Sequence, residues 1–532
     1  MHRRTLNRRH FLASTSALAA MAAAGRAPAL AQPANARVLR YVPTGDPGSL
    51  DPIWTTNYET RNHGYLIYDT LFATGANFTV KPQMAEGAEV SADGKTCTIR
   101  LRDGLKFHDG EPVRARDCVA SLSRWSKRDS FGQTWAAALD EMRASDDRTI
   151  VCRLKAPFPS FLQAIGKLSS NVAFIMPERV ANTDAMQQIT DPTGSGPFKF
   201  VRDELRPGSR LVYARNHDYV PRSDASDWAA GAKVAHFERI EWMIMPDAAT
   251  SAAAIQTGEI DWLEELQPDT VPIVRRNRAV RVEIRNRLSA MPIMRFNQLH
   301  APFNNVAIRR AIMLAVDQGD YTSAIVGRDP ELSNACNSVF TCNTPLASEV
   351  AADPLKARSI ERAREALARA GYNGEKVVLL SGTDINNNHT QAQVTNALLQ
   401  RLGMNVEYVA TTWSTIVQRR ASREPGAWNI FHTAWGGADM LNPAVSASLR
   451  GNGAGAWFGW PDEPRLEALR SRWFLAADDT ESKRIAEEIQ TVAFETVPFI
   501  PLGQIYLPAA VRTNLAGIIQ NPVPFFWNVR RA

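Results

Sequence analysis

Strand-like and helix-like periodicities alternate along the chain from residue 38 almost to its end, and this interleaving limits the fold more than any other feature. Two-residue alternation marks residues 38–42, 97–101, 150–154, 198–202, 211–214, 240–245, 377–380 and 406–409 as strands. A 3.6-residue period marks 116–125, 249–256, 305–315, 359–370, 390–402 and 483–494 as helices. Gly371 and Gly403 stand where two of these helices need a C-cap. No fixed short repeat and no low-complexity tract interrupts the pattern, so a large α/β chain follows rather than a solenoid. At 532 residues it is long enough for about three domains or two large lobes, which excludes a small module stapled by disulfides.

The first thirty-one residues are a different kind of segment. A basic start (Arg3, Arg4, Arg8, Arg9) precedes an Ala-rich apolar run and the small-residue site Ala29-Leu30-Ala31, which is the pattern of a cleaved secretory signal. Asn7-Arg8-Arg9-His10-Phe11-Leu12 resembles the twin-arginine export motif, which implies the Tat export machinery as a partner; a general secretory signal is the other reading. The signal holds five arginines and no acid, so the remaining chain carries 56 basic against 55 acidic residues, a net of +1 instead of +6. Without a net basic field, nucleic acid is not expected as a partner. Beyond the signal no apolar run reaches the length of a membrane span, and no Cys is placed to take a lipid anchor, so the mature protein is expected free in the periplasm.

Five cysteines are too few for a disulfide scaffold. Cys336 and Cys342 bracket a loop-like stretch and are expected to bridge; Cys97 and Cys152 lie in strand-like runs as neighbours or simply buried; Cys118 reads as a small core residue. His63, His108, His217, His236, His300, His389 and His432 are dispersed, without H-E-x-x-H or zinc-site spacing. Gly194-Ser195-Gly196 lacks the spacing of a nucleophile elbow, and Gly451-Asn452-Gly453-Ala454-Gly455 lacks the flanks of a dinucleotide fingerprint. No cofactor and no catalytic residue is expected.

Leu101-Arg102-Asp103-Gly104-Leu105-Lys106-Phe107-His108-Asp109-Gly110-Glu111-Pro112-Val113, followed by Ala115-Arg116-Asp117, resembles the signature of the peptide and nickel class (family 5) of bacterial extracellular solute-binding proteins. Leu50-Asp51-Pro52, Tyr68-Asp69-Thr70-Leu71-Phe72, Gly194-Ser195-Gly196-Pro197-Phe198, Gly258-Glu259-Ile260-Asp261, Phe296-Asn297 and Pro302-Phe303-Asn304-Asn305 agree with it in the family's order. In physical terms Asp109-Gly110 is a turn and Asp117 a first-turn helix carboxylate, so His108 and Asp109 are expected to be structural.

The resemblance implies an α/β, two-lobed periplasmic-binding-protein-like fold of the large, three-subdomain type II class, with the ligand held between lobes on hinge closure. It maps lobe 1 onto 32–74, 192–296 and 503–532, an inserted subdomain onto 75–191, and lobe 2 onto 297–502, with 1–31 as the signal. It implies the receptor of an ABC importer, no enzyme, working as a monomer with a membrane permease and its ATPase subunits on a peptide or peptide-like solute. A metal chelate (nickel), an opine or an oligosaccharide is the alternative cargo, and a periplasmic hydrolase the alternative class. For the site, Trp435-Gly436-Gly437-Ala438-Asp439-Met440-Leu441-Asn442-Pro443 resembles the cleft loop in which a Trp precedes an Asp that meets the ligand's α-amino group. Two departures are one extra residue between Trp and Asp, and Asn442-Pro443 where Asp-Pro is usual. Trp413, Trp435, Trp457, Phe458, Trp54 and Tyr58 are the expected pocket walls. His432, beside that segment, is the candidate for a metal chelate. Arg419, Arg420 and Arg423 read as a solvated helix face.

Overall fold

The computed structural model describes residues 37–532; the signal expected at 1–31 lies outside them. Two seven-stranded sheets organise these residues. The first runs Phe198–Phe200, Arg210–Arg215, Arg239–Met243, Val38–Val42, Trp262–Leu263, Ala509–Arg512, Val280–Glu283 across its width. The second runs Ser333–Asn334, Gln504–Ile505, Ala290–Phe296, Ile430–Gly436, Val377–Gly382, Val406–Thr411, with Phe499–Pro501 also on Ala290–Phe296. A four-stranded antiparallel sheet, Ala85–Val90, Thr96–Leu101, Thr149–Leu154, Leu139–Ala144, forms between the first visits of the chain to the first sheet.

Sheet membership sets two strands apart from the segments expected for the first lobe. Ala290–Phe296 was expected to close the first lobe, but it pairs residue for residue with Ile430–Gly436, from Ala290 opposite Gly436 to Phe296 opposite Ile430. Likewise Gln504–Ile505 pairs with the second sheet and only Ala509–Arg512 returns to the first. The chain therefore crosses between sheets at 284–289 and 506–508. Both central strands of the second sheet escape the periodicity test, since Ala290–Phe296 is buried at every position but its first and carries Pro292, which reads as a breaker.

Local chemistry explains the signature motif. In Ala115–Trp125, Asp117 closes a capping box on the Arg114 N–H at 2.7 Å and takes the Glu178 N–H at 2.8 Å. His108 accepts from the Gly194 N–H at 3.1 Å through Nδ1 and donates to the Gly196 carbonyl at 3.2 Å through Nε2, so it is a neutral strut. Burial pushes its pKa down to about 4. Asp51 and Arg124, 1% and 2% exposed, form a bidentate ion pair at 2.7 and 3.2 Å that fastens the inserted segment to the start of the chain. Cys336 and Cys342 are bridged. Cys97 and Cys152 are neighbours, directly opposite in the antiparallel register, and with Cys118 are buried free thiols.

Candidate functional site

In open α/β sheets, ligands sit in the crevice beyond the carboxyl ends of parallel strands. Val38–Val42 runs parallel to Arg239–Met243 and Trp262–Leu263, so their carboxyl ends deliver Thr44, Glu264 and Glu265 to one edge. In the second sheet Val377–Gly382 runs parallel to Val406–Thr411 and to Ile430–Gly436, whose ends deliver Trp413, Trp435 and Asp439. The two edges meet.

The meeting point is Tyr58, the first residue of the helix Tyr58–Ile67, which Asn57 caps through the Thr60 N–H. Its hydroxyl donates to Asp439 Oδ2 at 2.7 Å and accepts the Gly436 N–H at 2.9 Å. Asp439 Oδ1 accepts the Ser170 N–H at 3.1 Å, and Asp439 is 5% exposed. One carboxylate thus ties the second sheet to the opening helix and to the inserted segment. Asp439 lies in the 3-10 turn Gly437–Met440, yet its side chain bonds across the cleft instead of capping its own turn. The Gly436-Gly437 pair permits this approach: a Cβ would stand 2.9 Å from the Tyr58 hydroxyl at the first and 2.3 Å from the Leu288 carbonyl at the second. Ser170 also holds the Thr56 carbonyl, and Asn171 Nδ2 holds those of Ile53 and Thr55, so the opening segment is braced from behind.

The expected aromatic walls divide. Trp435 lies 5.2 Å from Trp457 and Trp457 lies 5.7 Å from Phe458. Trp413 joins them through Arg420, whose guanidinium is 5.1 Å from the Trp413 ring centroid, 5.5 Å from Trp457 and 4.6 Å from Phe458. Trp54 is elsewhere, under the Arg128 guanidinium at 4.8 Å. Of the basic cluster, Arg423 is exposed and covers the Trp460 ring at 4.9 Å, whereas Arg419 and Arg420 are half-buried, Arg419 donating to the Ala427 carbonyl. Trp435 itself lies within the strand Ile430–Gly436, one residue before its end, rather than opening a loop. His432, on the opposite face of that strand, is 2% exposed and bonded through Nε2 to Thr395 at 2.8 Å. Burial pushes its pKa down to about 3, and the described residues hold no cluster of His, Cys, Asp and Glu that could bind a metal.

Against these arginines the other edge is acidic. Glu59 takes the Thr44 hydroxyl, and Glu264 takes the Thr44 N–H at 3.1 Å and Asn62 Nδ2 at 3.4 Å. Burial, with repulsion from neighbouring carboxylates, raises Glu264 to about 7 and Glu265 to about 8. Beside Asp439 opens a cavity of about 1110 Å³ between the inserted segment and the second sheet's helices. Phe78, Phe158, Phe161, Leu441 and Trp473 line it, and Ser169 and Ala438 carry its wall to the Ser170–Asp439 contact.

Of the site, Ser170 and Arg420 were not anticipated. Ser170 has no local signal, because its contact spans 269 residues. Arg420 had one: it follows Trp413 by seven residues along a helical stretch, two turns on the same face.

Comparison with known proteins agrees along the chain. Residues 79–457 match the profile of the bacterial extracellular solute-binding proteins, family 5 Middle. The "probable peptide ABC transporter periplasmic-binding protein" of Sinorhizobium fredii is 38% identical over 492 residues, 91% of each chain. The nickel-binding periplasmic protein of Escherichia coli is 26% identical over 86% of this chain and 87% of its own. Among solved structures, a Pseudoalteromonas dipeptide-binding protein in complex with Met-Leu superposes with a TM-score of 0.78 at 20% identity, covering 93% of this chain and all of that one.

Proposed function

We propose, on the premise that this chain belongs to family 5 of the bacterial extracellular solute-binding proteins, that it captures a peptide or peptide-like solute between two lobes and presents it to a membrane permease. Membership makes it the solute-binding component of an ABC importer, with a two-lobed α/β fold and with permease and ATPase subunits as its partners. Among the described residues no helix is long and apolar enough to cross a membrane. We place it in the periplasm, exported through the twin-arginine route by residues 1–31, and assign it no chemistry of its own.

The observation that carries the reading is the Tyr58–Asp439–Ser170 contact beside a large apolar cavity. The hinge is the pair of crossings at 284–289 and 506–508, so lobe 1 holds the first sheet, with the inserted subdomain at 75–191 attached, and lobe 2 the second. A carboxylate offers about four lone-pair sites. Asp439 has two filled by the protein and keeps acceptor capacity for a ligand ammonium, in a cleft where water competes poorly. The cavity volume and its phenylalanine lining suit side chains of varied shape. A 38% identical relative named for peptide transport supports the same cargo. The burial of His432 in the core speaks against a histidine-held metal at that position.

Thermal unfolding of the mature chain against di- to pentapeptides, oligosaccharides and nickel with and without chelators tests this. A peptide at 100 times its dissociation constant stabilises by about 2.7 kcal/mol. A shift that Asp439→Asn abolishes supports the amino-group site. Shifts from sugars or metal chelates alone overturn the peptide reading.

A further inference from the structure

A second cavity, of about 260 Å³, opens on the hinge itself. Arg287 and Leu288 from the first crossing and Tyr506 from the second line it, together with Phe78 of the inserted subdomain, Trp228 and Asn521. It shares Phe78 with the larger cavity and contains none of Tyr58, Ser170 and Asp439, so it lies apart from the contact that holds the cleft. Its size falls short of the roughly 300–1,000 Å³ typical of sites for drug-sized ligands, which leaves room for a small molecule and not for a peptide.

The apolar wall of this cavity is fixed in advance. Phe78, Trp228 and Asn343, all lining it, take left-handed backbone at φ 64°, 52° and 63°. That region is disfavoured for aromatic residues and persists only where surrounding contacts over-determine it. Here Asp227 accepts the Ala76 N–H at 2.7 Å and pairs with Lys81 at 2.7 Å, which seats the turn carrying Phe78 against Trp228. The two rings meet edge to face at 5.4 Å, and Trp228 Nε1 donates to the Gln520 carbonyl at 2.9 Å.

The polar groups of the cavity are donors in want of an acceptor. Asn521, 5% exposed, spends Oδ1 on the Val523 N–H at 3.1 Å and keeps Nδ2 buried without a hydrogen-bond partner. Tyr506 has already given its hydroxyl proton to Asn334 Oδ1 at 2.6 Å. Arg287, exposed at the opening, is the charged residue of the lining, and no carboxylate accompanies it there. An unanswered amide donor and a guanidinium beside an aromatic wall match an apolar body that carries a negative acceptor.

We propose that this cavity binds a small aromatic carboxylate, and that its occupancy favours the closed arrangement of the lobes. Arg287 and Asn521 meet the carboxylate, and the ring packs on Phe78 and Trp228. Residues of both crossings enclose the ligand, with Asn343 entering from the loop just after the Cys336–Cys342 bridge. Hinge motion changes the backbone of the crossings, so the cavity keeps this shape in one arrangement of the lobes and its ligand shifts the population toward that arrangement. The consequence for transport rests on the solute-capture reading: an occupied cavity tightens capture, and a captured solute tightens anion binding by the same factor.

The test is equilibrium dialysis of the mature protein with radiolabelled benzoate, with benzamide and acetate as competitors. The expected result is saturable uptake for which benzamide, lacking the charge, and acetate, lacking the ring, compete at least about tenfold less well than benzoate itself. Arg287→Gln should weaken uptake about tenfold or more, and Arg287→Lys should retain part of it. Asn521→Asp keeps Oδ1 for the Val523 N–H but sets a like charge against the ligand, and should weaken uptake at least as much while the melting temperature reports an intact fold. Solution scattering with saturating benzoate and no solute should show a smaller radius of gyration. A solute panel that fails to bind sinks the capture reading and leaves benzoate uptake standing, whereas failed uptake with solute binding intact does the reverse. No saturable uptake, uptake indifferent to Arg287→Gln and Asn521→Asp, or an unchanged radius of gyration overturns the proposal.

Discussion

Removing a single oxygen tests how the cleft is held. Tyr58→Phe deletes the hydroxyl that donates to Asp439 Oδ2 at 2.7 Å and accepts the Gly436 N–H at 2.9 Å, while the ring keeps its place. A hydrogen bond to a charged acceptor contributes about 1.5–3 kcal/mol and a neutral one about 1 kcal/mol. Water can reach this part-buried site in the open form and re-solvate the freed groups, so about 2–3 kcal/mol is lost from the closed state. At 1.4 kcal/mol per factor of ten, the closed-to-open ratio falls roughly 30- to 150-fold. Where the unliganded protein is mainly open, the dissociation constant of the tightest peptide rises by that factor, because the ligand must now supply the missing bias. The unfolding temperature of the unliganded protein should move little, since both sheets keep their cores. Calorimetric titration of wild type and Tyr58→Phe measures the ratio directly. An unchanged dissociation constant would refute the view that this hydroxyl couples the lobes.

Two further outcomes follow from buried charge. Glu265, raised to about 8 by burial and by the carboxylates of Glu264 and Glu59, holds its proton to higher pH when folded than when unfolded. Stability therefore falls as pH rises from about 4.5 to 8. Glu265→Gln should flatten that fall in thermal melts and raise the melting temperature at pH 8 but not at pH 4, and parallel curves would contradict it; the facing groups are Glu59, Glu264, Tyr41 and Arg61. Arg124→Met leaves the Asp51 carboxylate buried without its partner and should cost about 3–5 kcal/mol in urea unfolding, most of it recovered by adding Asp51→Leu. A loss of about 0.5 kcal/mol, typical of surface positions, would show that the pair is not a fastening.

The sequence shows the periphery of this fold better than its centre. The helices Ala115–Trp125 and Ile360–Arg369 each have one buried and one solvated face, so hydrophobic spacing reveals them. Ala290–Phe296, in the middle of the second sheet, is covered on both faces and has no alternation to read. Tyr58–Ile67 is buried at every residue from Thr60 onward, polar ones included, so no amphipathic stripe marks it as a helix. The resemblance of the Trp435 to Asp439 segment to the family's cleft loop singled out Asp439, the carboxylate that the structure sets against Tyr58 and Ser170. What Asp439 touches was not legible, since Tyr58 and Ser170 approach it from 381 and 269 residues away. The arginine cluster misled for a related reason: composition places charges in water, and only the tertiary fold shows rings closing over Arg420.

Solution scattering of the mature protein, alone and saturated with the tightest ligand of the panel, measures closure itself. Capture between lobes predicts a smaller radius of gyration with ligand bound and an unliganded Tyr58→Phe protein at least as extended as unliganded wild type. Identical scattering curves with and without saturating ligand would contradict capture by hinge closure.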